Sequence, residues 1–96
     1  MSWSRYRRGR DFEYVCKWEL ERRGFVVFRC AGSKPFDLIA FSPSGRVYFI
    51  ECRLSGKISK SKREVQEELA ERCGATYVIL TREDYMQKIE GLSRNG

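Results

Sequence analysis

Two acids and an arginine stand in strand-like apolar surroundings in this sequence. Asp37 sits in Phe-Asp-Leu-Ile-Ala-Phe (36–41), and Glu51 ends a second run, Val-Tyr-Phe-Ile-Glu-Cys-Arg (47–53), two residues before Arg53. In extended chain, alternation puts Asp37, Ile39 and Phe41 on one face of the first run, and Val47, Phe49, Glu51 and Arg53 on one face of the second. If the loop has an odd residue count, such as Ser42 to Arg46, residue 37 stands opposite residue 51 and the two carboxylates are neighbours. Like charges across a sheet are destabilising unless a shared proton or a bound cation neutralises them. With no histidine and no paired cysteines, hard carboxylate oxygens select Mg2+ or Mn2+ over zinc or copper, and the backbone carbonyl of Cys52 offers a third protein ligand. Such an ion can activate a water and stabilise a pentacovalent phosphate, and Arg53, on the same face as Glu51, can orient the nucleophile or neutralise phosphate. The plainer alternatives are a strand-edge acid at Asp37 and a surface ion pair between Glu51 and Arg53.

The elements that must hold these residues are legible in outline. Phe12, Val15, Cys16 and Leu20 recur at helical spacing over Gly9 to Arg23, and Gly24 is placed to end that helix in the left-handed conformation. Phe25 to Cys30 is aromatic and β-branched, and Ala31-Gly-Ser-Lys-Pro35 breaks it. The two acid-bearing runs form a hairpin around Ser42-Pro-Ser-Gly45. Ser61-Lys-Arg-Glu64 has the pattern of a capping box, with Val65, Leu69 and Cys73 following at four-residue intervals before Gly74. Ala75 to Leu80 is a nearly continuous apolar run, expected as a parallel strand buried on both faces inside the sheet. A last short helix is expected over 81–89 with Thr81 as its cap. The order gives an α/β fold, a small mixed β-sheet flanked by helices with an αβββαβ core.

Ninety-six residues with two tryptophans, five tyrosines and six phenylalanines support one domain over 1–96, with a basic arm at 1–8 and flexible ends at 1–4 and 92–96. The net charge of +6 favours polyanionic partners. Its distribution points the same way: Arg5, Arg7, Arg8 and Arg10 crowd one end, and Lys57, Lys60, Lys62 and Arg63 follow the hairpin, as for a phosphate backbone. The four cysteines, Cys16, Cys30, Cys52 and Cys73, fall within or beside apolar elements and read as reduced, mostly buried thiols of a cytoplasmic protein. Histidine-based triads are excluded, and the sequence carries neither a secretory h-region nor an apolar run long enough for a membrane span. By spacing, Glu13 between Arg10 and Lys17 reads equally as a helix-surface ion-pair network, and Ser33 as a loop residue.

Taken in order, these blocks resemble the PD-(D/E)xK nuclease superfamily and, within it, the archaeal-type Holliday-junction resolvases. Residues 8–25 look like the family's opening helix with its glutamate. Val-Val-Phe-Arg-Cys-Ala-Gly-Ser (26–33) resembles the first strand with its arginine and Gly-Ser, and 36–41 the P-D-[IL]-I-A strand. Residues 47–53 resemble the I-E-x-K strand, and 68–80 the second helix and last strand. The resemblance implies a restriction-endonuclease-like fold in which Asp37, Glu51 and Glu13 are metal ligands and Ser33 and Arg53 complete the catalytic set. It also implies DNA contacts from the arginines at 5–10, from Arg29 and Lys34, and from Lys57, Lys60 and Lys62. The activity implied is Mg2+-dependent cutting of four-way junctions, with Mn2+ as substitute, by a homodimer with no small-molecule cofactor. Two departures stand out: Arg53 replaces the motif lysine, and Phe36 separates Pro35 from Asp37. Arginine keeps the charge but does not readily lose a proton. The other functions in view are a nuclease of nicked, single-stranded or sequence-specific DNA, and a catalytically weak DNA-binding derivative.

Overall fold

The structure, a computed structural model, describes residues 2–54 and 57–95; the side chains of residues 2–9 and of Ser33 lie outside the described set. The chain forms α1 (Ser2–Arg22), β1 (Val26–Arg29), a 3-10 turn (Ala31–Ser33), β2 (Leu38–Phe41), β3 (Val47–Arg53), α2 (Lys60–Arg72), β4 (Thr76–Thr81) and α3 (Tyr85–Asn95). The strands make one sheet in the order β1-β2-β3-β4, with the first three antiparallel and β4 parallel to β3. Among the described residues, no helix is long and apolar enough to cross a membrane.

One face of the sheet carries the core. Phe12, Cys16 and Leu20 of α1 and Ile89 of α3 pack on Val27, Leu38, Ala40, Tyr48, Ile50 and Leu80, the inward set that alternation predicts for these strands. Gly24 ends the first helix at φ +91°, where a side chain is strained. On the other face α2 packs over β4, and Phe36 stacks 4.6 Å from Phe49 and 6.0 Å from Tyr77. That cover is partial: Val26 and Phe28 on β1 remain more than half exposed.

Several expectations are corrected. The first helix begins at Ser2, so the basic 1–8 segment is helical along its described backbone; arginine favours helix, although the segment shows no apolar period in sequence. The cap of α2 is Ser59, whose hydroxyl accepts from Lys62 N at 3.2 Å, rather than Ser61 with Glu64. The inward phase of α2 is one residue on from the expected one: Gln66 and Ala70 are buried while Val65 and Cys73 are exposed. Gln66 faces in because its amide has three partners there, described below. The last strand is parallel, as expected, but lies at the sheet's edge, with Leu80 its fully buried residue. The last helix begins at Tyr85 after a turn closed by Thr81 and Asp84, and it runs to Asn95.

Candidate active site

The candidate residues gather at one end of the sheet, where β1 and β3 finish and β2 begins. The register Leu38↔Ile50 to Phe41↔Val47 continues, one step further, to Asp37 against Glu51, as the five-residue loop requires. At that step regular pairing stops. The Asp37 amide donates to the carbonyl of Ile50 at 3.1 Å, and the Asp37 carboxylate accepts from the Cys52 amide at 2.7 Å. So it is the amide of Cys52, next to the carbonyl expected as a ligand, that engages the aspartate. The side chain of Asp37, only 4% exposed, is thereby locked at the sheet's end.

The expected carboxylate pair is divided between two sets of partners. Burial first, and then the charge of Asp37, push the carboxyl of Glu13 on α1 above its ordinary value, against the pull of Arg29. Arg29, at the end of β1, holds Glu13 Oε1 at 3.0 Å through Nη2 and 3.3 Å through Nε, reaches the Tyr14 hydroxyl at 3.1 Å, and lies 4.4 Å from the Tyr14 ring centre. Lys17, the other cation expected near Glu13, pairs with Glu21 at 2.9 Å.

Glu51, 3% exposed, is held from α2. Gln66 Nε2 donates to its Oε1 at 3.1 Å and to the Pro35 carbonyl at 2.9 Å, while the Tyr77 hydroxyl donates to the Gln66 carbonyl oxygen. Lys62 Nζ donates to Glu51 Oε2 at 3.2 Å, and Arg53 Nη1 stands 3.8 Å from the same oxygen. The Arg53 Nε is buried and has no hydrogen-bond partner among the described residues. Lys62 stands among the DNA contacts expected from the sequence, and Gln66 lies off the expected stripe of Val65, Leu69 and Cys73, so no local pattern marks it.

Among the described residues, no group of three or more acidic, cysteine or histidine side chains is close enough to hold a metal ion ready-made. The chemistry of the donors nevertheless fits a hard divalent cation. The charge of Asp37 acts on Glu13, and Glu51 follows on the adjacent strand, so hard carboxylate oxygens gather at this sheet end. Ser33 lies in the 3-10 turn after β1, its side chain outside the described residues, as are those of Arg5, Arg7 and Arg8 on α1. Arg10, Lys34, Lys57 and Lys60 are exposed.

The family model "archaeal Holliday junction resolvase (hjc)" matches residues 4–90. This chain belongs to the Hjc family. It is 44% identical over 68 residues to the crossover junction endodeoxyribonuclease Hjc of Methanocaldococcus jannaschii, a match covering 71% of this chain and 48% of that protein. The chain thus spans about half the length of that curated relative. Its fold is similar to that of Archaeoglobus fulgidus Hjc, described as a Holliday junction resolvase from an archaeal hyperthermophile. The TM-score is 0.64 at 25% identity, over 78% of this chain and 66% of the other. Within the Hjc resemblance, the strand position of the motif lysine is Arg53, and Lys62, which donates to Glu51, comes from α2.

Proposed function

We propose that this chain is a divalent-metal-dependent endonuclease that cuts four-way DNA junctions as a homodimer, with Mg2+ as its usual ion. The observation that carries the reading is the meeting of Glu13 and Asp37, from separate elements, at the same sheet end as Glu51, with Lys62 and Arg53 beside it. Asp37, Glu51 and Glu13 would hold the ion. When bound, it supplies Lewis acidity at the scissile phosphate. Arg29 fixes the carboxylate of Glu13, the Cys52 amide fixes Asp37, and Gln66 fixes Glu51, so the three acids are oriented before DNA arrives. Exposed Lys34, Lys57 and Lys60 provide countercharge for the phosphate backbone. Paired cuts on opposed strands need two sites and one chain supplies one, which favours a twofold assembly.

Labelled four-way junction, linear duplex and flap, each with Mg2+ or Mn2+, test this reading: the junction is expected to be cut fastest. Faster cutting of nicked or single-stranded DNA would reassign the substrate. Arg53 in the lysine position favours one second reading, a DNA-binding derivative. It is recognised by salt-sensitive binding to all three DNAs with no cutting.

A further inference from the structure

We infer that Lys62, delivered by α2, is the functional counterpart of the lysine absent from β3: it orients Glu51 and presents an ammonium to the reacting phosphate. The inference rests on the nuclease reading above and deepens it. Three independent features support it.

The first is geometric. Two cations approach Glu51 Oε2, and the lysine is the nearer, at 3.2 Å against 3.8 Å for the arginine. Only the lysine is within hydrogen-bonding distance. The Arg53 guanidinium forms no bidentate fork with Glu51, its Nε has no hydrogen-bond partner among the described residues, and it also lines a cavity of about 360 Å3 with Lys57, Arg63 and Thr81. Such a position suits a phosphate-facing cation beside the site better than a seated partner of the carboxylate.

The second is access. Glu51 is 4% exposed by side chain, whereas Lys62 is 47% exposed and borders an open groove of about 780 Å3 shared with Gly32, Lys34, Pro35, Val65 and Leu69. One side chain therefore touches the buried acid and faces solvent, which a group bridging ligand and substrate must do.

The third is local energetics. The first turn of α2 carries Lys60, Lys62 and, one residue on, Arg63, with no acid to complement the positive end of the helix dipole. Helix stability alone favours aspartate or glutamate there, so a lysine at the third helical position, aimed at Glu51, runs against local preference.

The test uses the full chain with Lys62→Met, Arg53→Met and the double variant Arg53→Lys/Lys62→Met. In single-turnover cutting of a four-way junction, Lys62→Met is expected to lose roughly 10²–10³-fold, the scale for removing a preorganised donor at a charged transition state. Its junction affinity without divalent ion is expected to change by less than about 3-fold, since one phosphate contact at most is lost. Arg53→Met is expected to lose less than Lys62→Met, and the double variant to recover most of the activity, because a lysine then occupies the strand position. A merely structural role for Lys62 would not be rescued from another element. Cutting by Lys62→Met within about 3-fold of wild type would overturn the inference while leaving the nuclease reading intact, and so would a double variant no better than Lys62→Met.

Mn2+ affinity of the DNA-free protein gives a second readout, independent of cutting. Removing the ammonium releases Glu51 Oε2, so Lys62→Met is expected to bind Mn2+ several-fold more tightly. Unchanged or weaker Mn2+ binding would contradict the placement of Lys62 on Glu51. A wild-type protein that cuts no DNA would sink the nuclease reading and, with it, the catalytic half of the inference, whereas the metal-binding result would still decide the contact.

Discussion

Gln66 of α2 ties down Glu51 of β3: its Nε2 donates to Glu51 Oε1 at 3.1 Å from inside the protein, where helical periodicity alone calls for an apolar residue. The Tyr77 hydroxyl fixes the amide the other way round, donating to the Gln66 oxygen. Burial, and then the charges of Glu51 and Glu67, push that phenol up to about 12, so it stays protonated. Gln66→Leu keeps the volume and leaves Glu51, the Pro35 carbonyl and Tyr77 each short of a partner. A loss of about 1–3 kcal/mol in urea unfolding is expected, together with slower junction cutting. A Gln66→Leu variant as stable and active as wild type would remove Gln66 from the site.

Gly24 should tolerate no side chain. Its φ is +91°, and a Cβ there would approach Pro43 Cγ at 3.3 Å. Gly24→Ala is expected to lower stability by about 1–2 kcal/mol with an unchanged denaturant slope, because the left-handed conformation and the contact both resist it. Chemical denaturation of the two proteins measures the difference.

Asp84 sets a pH dependence at the start of α3. Burial opposes its ionisation, but the Thr81 amide, the Thr81 hydroxyl and the Lys88 ammonium outweigh it and hold the carboxyl below 3.8. A depressed folded-state value stabilises the protein above pH 3.8 and is lost as pH falls through the folded value. Asp84→Asn should therefore melt earlier than wild type at neutral pH, with the gap closing in strong acid. Melting curves across that range check the sign.

The four thiols should react in order of exposure. Cys73 is exposed and should react first with a disulfide reagent. Burial raises Cys30, while the hydrogen bond with buried Cys16, followed by burial, raises Cys52. These three should be slow until the protein unfolds. Thiol titration of native protein, compared with Cys73→Ser, shows whether the fast phase disappears with that residue.

What the sequence disclosed follows from how local each signal is. The hairpin register was legible as the odd-loop alternative, because the Pro-Gly turn Ser42 to Gly45 confines the loop to a few residues and Ser42 to Arg46 is the loop observed. The inward faces of β2 and β3 were legible because alternation is strict there. The ladder break at Asp37 was not, since it depends on a side chain taking a backbone amide. Nor was the phase of α2: Val65 and Leu69 suggested one stripe, but hydrogen bonds to Glu51, Pro35 and Tyr77, far away in sequence, turned Gln66 inward. For the same reason Lys62 was read as one charge in a basic cluster. Its contact with Glu51 exists only once the helix is docked on the sheet.

The central claim is that Asp37 belongs to a working metal-dependent nuclease site, and strand-by-strand cutting of a labelled four-way junction by wild type and Asp37→Asn tests it most directly. Asparagine can keep the bond from the Cys52 amide, so the fold should persist while the charge is lost. The expected result is nicking of two opposed strands by wild type in Mg2+ or Mn2+, none in chelator, and a loss of at least about 10²-fold in the variant. Equal cutting by the two proteins, or no cutting by wild type with either ion, would contradict the account.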